Sequence, residues 1–174
     1  STVTLSNSAV VTDNHSTVSG GGLSIHNNSS LAVNGATVSN NTSGSGSAIY
    51  LNSNAASTFD GATISGNTSA SGSGAIALSD TSSITMDSSL VTGNTGRTGG
   101  GISLLNGSSG TVTPTQFTAN SAVSKAGALM VSGTSTLNIS NTTIYGNTVS
   151  DTSSGGAMYV GSGSVASLVH SKID

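Results

Sequence analysis

Cysteine is absent from this chain, so disulfides and thiolate metal sites are excluded outright. Glutamate is also missing, and the six acidic residues are all Asp. Only Arg97, Lys125 and Lys172 are basic, too few to neutralise a run of phosphates, so no nucleic-acid partner is expected. A single proline argues against a mucin-like stalk or a stiff linker. No apolar run reaches the roughly 18 residues of a membrane span. Tryptophan is absent and aromatics make up 3% of the chain.

What is present is small and polar. Ser (38), Thr (24), Gly (24) and Asn (16) account for most of the 174 residues. That bias resembles low-complexity disorder, but 33% of residues are hydrophobic and the net charge is only −3. Disorder pairs low hydrophobicity with high net charge, so this chain should fold.

The apolar residues are periodic. Six four-residue units share one shape: "VTDN", "VSNN", "ISGN", "VTGN", "FTAN" and "IYGN", ending at Asn14, Asn41, Asn67, Asn94, Asn120 and Asn147. The steps between these Asn residues are 26 or 27. A second landmark keeps the same beat: Leu23, Ile49, Ile76, Ile102 and Leu129 open apolar strands, and Met158 follows after 29. A fixed period of this length is the mark of a repeat architecture.

Within a repeat, apolar and polar residues alternate, which is the strand period of two. Three strands are predicted per coil. The first carries pairs such as Leu23/Ile25 and Ile102/Leu104. The second carries Leu31/Val33, Phe59, Ile84/Met86, Val112 and Leu137/Ile139, with Ser57 and Gly110 as weak positions. The third carries Val11, Val38, Ile64, Val91, Phe117 and Ile144, each three residues before its Asn. One such coil cannot bury its own apolar face, but stacking coils does so. The expected fold is therefore all-β: a three-sheet parallel β-helix of 26–27 residues per coil and six to seven coils. The hand should be right, because parallel crossovers almost always are. Stacked Asn side chains would form an amide-to-amide ladder at a turn, where a short amide also tolerates left-handed backbone.

Residues 1–174 read as one β-helix segment without a polar or helical cap at either end. The expectation is a piece of a longer chain, or a unit that stacks end to end in a filament.

The paired motifs carry a resemblance. "FTAN" (117–120) and "GGAM" (155–158), with the partial matches "GAIA" (74–77), "GGIS" (100–103) and "GALM" (127–130), resemble the GGA(I/L) and FxxN repeats of the chlamydial polymorphic membrane proteins. The other five FxxN-like copies have Val or Ile in place of Phe. The resemblance implies a β-helical surface adhesin of autotransporter-passenger type, located outside the cell or on its surface.

Candidate chemistry is sparse. Asp60 and Asp87 fall in one register, and a stacked pair about 5 Å apart would suit a glycosidase pair or a hard-cation site. Their column continues as Asn34, Thr113 and Ser140, with no third acid and no neighbouring base. No cofactor is expected, and the pair is only a weak metal candidate. His15, His26 and His170 sit at unrelated coil positions. "SGSGSA" (43–48) and "SGSG" (71–74) lack the lysine and the strand–loop–helix setting of a phosphate loop. Tyr50, Tyr159 and Tyr145 should point outward. A Thr-bearing outer face runs along the third strand at Thr37/Ser39, Thr63/Ser65, Leu90/Thr92, Gln116/Thr118 and Thr143/Tyr145. Of nine sequons, those at Asn27, Asn28 and Asn106 lie in turns and are the glycosylation candidates. Asn14, Asn41 and Asn67 belong to the ladder.

The leading expectation is a non-enzymatic structural or adhesive module. Its partners would be flanking coils, end-to-end copies, or a host-surface or carbohydrate ligand. The alternatives are a fragment of a pectin lyase-like carbohydrate enzyme and an ice-binding solenoid.

Overall fold

The computed structural model describes residues 1–44, 47–151 and 154–174. "SGSGSA" therefore lies partly outside the described residues, at Ser45 and Gly46. Every described strand pairing is parallel, and each strand bonds to its equivalents one coil before and after. The three predicted strands are present in each coil. The first sheet stacks six strands from Leu23–His26 to Met158–Val160. The second stacks seven from Thr2–Ser6 to Val165–Val169, and the third seven from Val10–Thr12 to Lys172–Ile173. A fourth ladder, which alternation is too short to reveal, consists of two-residue strands such as Thr42–Ser43 and Thr68–Ser69 directly after each ladder Asn.

Alternation decides which side chains fill the interior. In Ser83–Asp87, Ile84 and Met86 are buried while Thr85 and Asp87 face water. Val38, Ile64, Val91, Phe117 and Ile144 form one inner column at 0% exposure, and Val11 packs partly buried against it. The two weak positions of the second sheet have separate solutions. Ser57 turns its hydroxyl to the Ser83 carbonyl at 3.1 Å. At Gly110 a Cβ would stand 2.8 Å from Leu137 Cδ1 and 3.1 Å from Leu104 Cδ2, so neighbouring leucines occupy the volume.

In its middle coils the first sheet is covered on both sides. Its outward residues Ala77, Ser103 and Met130 are almost as buried as the inward Ile102 and Leu104. The glycine-rich stretch before each of these strands forms a ladder of bridges, Ser73 to Gly99 to Ala126 to Gly155. Gly99 lies directly against Ser103 and Met130. The chain also passes its neighbours closely at Gly100, where a Cβ would lie 2.2 Å from the Gly127 carbonyl oxygen.

The corner before the fourth ladder corrects one expectation. The left-handed residue is the one preceding each ladder Asn, not the Asn itself. This column reads Asp13, Asn40, Gly66, Gly93, Ala119 and Gly146, all with φ between 52° and 64°. The backbone reverses there, which leaves the following Asn in ordinary conformation with its amide directed along the stack.

Candidate functional site

The most ordered polar feature of the molecule is the Asn column. The Nδ2 of Asn14, Asn41, Asn67, Asn94 and Asn120 each donates to the Oδ1 of the next ladder Asn at 2.9–3.1 Å. The same Oδ1 accepts the backbone N–H of the preceding Asn at 2.9–3.1 Å. Each amide from Asn41 to Asn147 also donates to a carbonyl in the preceding coil: Val11, Val38, Ile64, Val91 or Phe117. Asn41, Asn67, Asn94 and Asn120 are wholly inaccessible to solvent. Burying four carboxamides is tolerable because their donors and acceptors are engaged. All of them point the same way along the stack.

Two further ladders hold the other corners, and sequence reasoning missed them. Between the first and second sheets stand Ser82, Ser108, Ser135 and Ser164. Between the second and third stand Ser89, Thr115, Thr142 and Ser171. Ser82, Ser108 and Ser135 donate to a carbonyl three residues back at 2.6–2.7 Å. Ser89, Thr115, Thr142 and Ser171 donate to one two residues back at 2.6–3.0 Å. Most then accept a backbone N–H from the coil before, as in Ala55 to Ser82, Ala62 to Ser89 and Ser108 to Ser135. The signal that could have found them is the same 26- to 29-residue spacing.

The other predicted residues are distributed as follows. Asp60 and Asp87 are paired in register on adjacent strands, with Asn34 beside Asp60, and both are exposed. Asp87 accepts a hydrogen bond from Ser88 at 2.8 Å. Among the described residues no group of three or more His, Cys, Asp or Glu side chains is placed to hold a metal ion. His15 contacts Thr42 on the fourth ladder at 2.8 Å, His26 lies on the first sheet, and His170 occupies a left-handed turn position. The Thr-bearing residues of the third sheet share columns as expected, Thr37 with Thr63, Leu90, Gln116 and Thr143. Asn27, Asn28 and Asn106 are exposed in left-handed turn positions between the first and second sheets.

One cluster on the first sheet and its adjoining turn brings several functional group types together. His26 meets Tyr50 edge-on with ring centroids 5.7 Å apart and an interplanar angle of 63°. Ser24 Oγ lies 2.6 Å from His26 Nε2, and Asn52 pairs with His26 in register. Burial, and after it the Asp80 carboxylate, push the Tyr50 hydroxyl above the ordinary tyrosine range, while a hydrogen bond with the Ser79 side chain pulls the other way. Asn106 donates to Asp80 at 3.1 Å and to Ser79 at 3.2 Å.

With this geometry in hand, the chain also matches the family described as "Right handed beta helix region" over residues 2–173. The chain belongs to that right-handed beta helix family. The hand expected from crossover sterics is thus the hand of the coil. No curated protein and no solved structure matches the chain. The family match supports a β-helix repeat protein in general and stops short of the chlamydial subgroup. No helix is long and apolar enough to cross a membrane among the described residues.

Proposed function

We propose that this β-helix is a non-enzymatic extracellular module: a cell-surface adhesin, rod or filament building block of the kind that the "FTAN" (117–120) and "GGAM" (155–158) motifs resemble. The observation that carries this reading is the division of labour across the coil. Three corner ladders and the apolar interior hold each coil to the next, while the outward side chains of the second sheet, Thr58, Thr85, Thr111 and Asn138, face water. A scaffold of this kind presents chemistry on its faces while its backbone stays constant. Its partners on this reading are flanking coils of its own chain, copies stacked end to end, or a host-surface or carbohydrate ligand.

The enzyme alternative rests on Asp60 and Asp87, which face water on the second sheet with no positively charged side chain in their column. The test uses the whole chain on two substrates. Immobilised protein should retain cells or matrix saturably, while pectin and other polyuronides stay intact. Polyuronide cleavage that disappears in Asp87→Asn would overturn the proposal in favour of catalysis. Thermal hysteresis abolished by replacing Thr63 would favour ice binding on the third-sheet face.

A further inference from the structure

The three tyrosines differ in what surrounds them. Tyr159 already has Lys125 over its ring, with Nζ 4.7 Å from the centroid. Tyr145 is exposed on the third sheet beside Thr118. Tyr50 instead lies half-buried among groups that both donate and accept, with His26 at its edge and Asn52 two residues on. In the next coil the turn of Ser79 and Asp80 follows Ala77, the register partner of Tyr50, and bonds to the backbone of Leu51 and Asn54.

We propose that Tyr50, His26, Asn52 and Asp80 form a binding site for a neutral pyranose ring. This gives the adhesive reading a ligand class and rests on it. An aromatic face carries negative quadrupole density, which attracts the C–H-rich face of a sugar laid flat upon it. The sugar's hydroxyls then reach the ring's rim, where a carboxylate accepts, an amide does both, and an imidazole can do either according to its tautomer. Asp80 also selects by charge. No Lys or Arg belongs to the cluster, so a uronate or another acidic sugar would meet like charge, whereas a neutral hexoside offers hydroxyl donors to the carboxylate.

The site is ordered before any ligand arrives. Asn106 holds Asp80 and Ser79 with one amide, and backbone bonds of 2.9 Å from Ser79 to the Leu51 carbonyl and from Asn54 to the Asp80 carbonyl fix that turn against the Tyr50 strand. His26 is tied at the other side through Ser24. Groups fixed in advance lose little freedom on binding, which matters for a shallow site whose affinity will be weak. Asn106 is thus a positioning residue.

The experiment titrates isotope-labelled protein, residues 1–174, with methyl β-galactopyranoside and methyl α-glucopyranoside, and with galacturonate as the charged counter-probe, followed by NMR. A neutral glycoside should move the resonances of Tyr50, His26, Asn52 and Asp80 and leave the third sheet unmoved. Tyr50→Phe, which keeps the ring, should bind within about threefold of the parent, and Tyr50→Ala or Asp80→Asn about tenfold more weakly or worse. Unchanged circular dichroism in Tyr50→Phe certifies the fold. Silence at these four residues, equal binding by Tyr50→Ala, or preference for galacturonate would overturn the inference. Retention of cells by a protein whose Tyr50 ignores every glycoside would overturn this site while leaving the adhesive reading intact. Failure of both retention and glycoside binding would remove both.

Discussion

Replacing Asn94 with Ala tests the logic of the buried amide column. Asn94 Oδ1 accepts from the backbone N–H of Asn67 at 3.0 Å and from its Nδ2 at 2.9 Å. Its own Nδ2 donates to Ile64, Thr92 and Asn120 at 3.0, 3.1 and 2.9 Å. Truncation leaves two donors of Asn67 without their acceptor at a site of 0% exposure. An orphaned buried donor costs about 1–3 kcal/mol, so Asn94→Ala should cost roughly 3–5 kcal/mol once the lost donations are added. Asn14→Ala is the internal control. The described bonds of the Asn14 side chain are donations to Thr12 and Asn41, and the residue is exposed. Asn41 Oδ1 keeps the Asn14 backbone N–H at 3.0 Å after truncation. That variant should lose less than about 1 kcal/mol, because nothing is stranded in the interior. Guanidinium unfolding followed by circular dichroism measures both, with the slope watched for loss of cooperativity between coils. Equal costs for the two variants would refute the claim that stranded partners, rather than the mere presence of Asn, set the contribution.

Ala119 holds φ of 52°, in a column otherwise occupied by Gly, Asn or Asp, so Ala119→Gly should stabilise the fold by about 0.5–1 kcal/mol, read as a higher unfolding midpoint. Tyr50 titrates above its unfolded value, so its contribution is complete below about pH 10 and is lost as pH rises beyond that toward the folded value. Tyr50→Phe should therefore lose less stability than the parent on alkaline titration, measured by unfolding at a series of pH values. Expressed through a eukaryotic secretory route, the protein should carry glycans at Asn27, Asn28 or Asn106 and none at the fully buried Asn41 or Asn67, as peptide mass spectrometry would show.

The period, the strand alternation and the Asn column were all legible because Asn, Val, Ile and Phe are distinctive against this background. The hydroxyl corners were not. Ser108 and Thr142 occupy positions as fixed as Asn94, but in a chain with 38 Ser and 24 Thr one more hydroxyl at the right spacing carries almost no information. The fourth ladder escaped for another reason. Pairs such as Thr42–Ser43 are too short to show alternation, and their inward residues Ser43, Ser69 and Ala122 are small. The Tyr50 cluster needed three dimensions: Tyr50, Asp80 and Asn106 are each one coil apart, and only the stacking register makes neighbours of them.

The corner ladders do not run uniformly along the rod. Toward the start of the chain the hydroxyl positions hold Ala36, Ala55 and Ala62, which can neither donate nor accept through their side chains. Backbone pairing, the Asn41–Asn67 contact, a bond from Asn54 to the Asn28 amide oxygen at 2.7 Å and one from Ser71 to the Gly44 carbonyl at 3.1 Å remain there. A molecule stretched end to end feels the same force at every junction, so it parts where the fewest ties share the load. For this rod the corner between the second and third sheets holds Ala9, Ala36 and Ala62 in succession, so the tear line falls within that stretch. An Ala62→Ser exchange, which supplies an acceptor of the kind that Ser89 offers Ala62, is the natural place to toughen it.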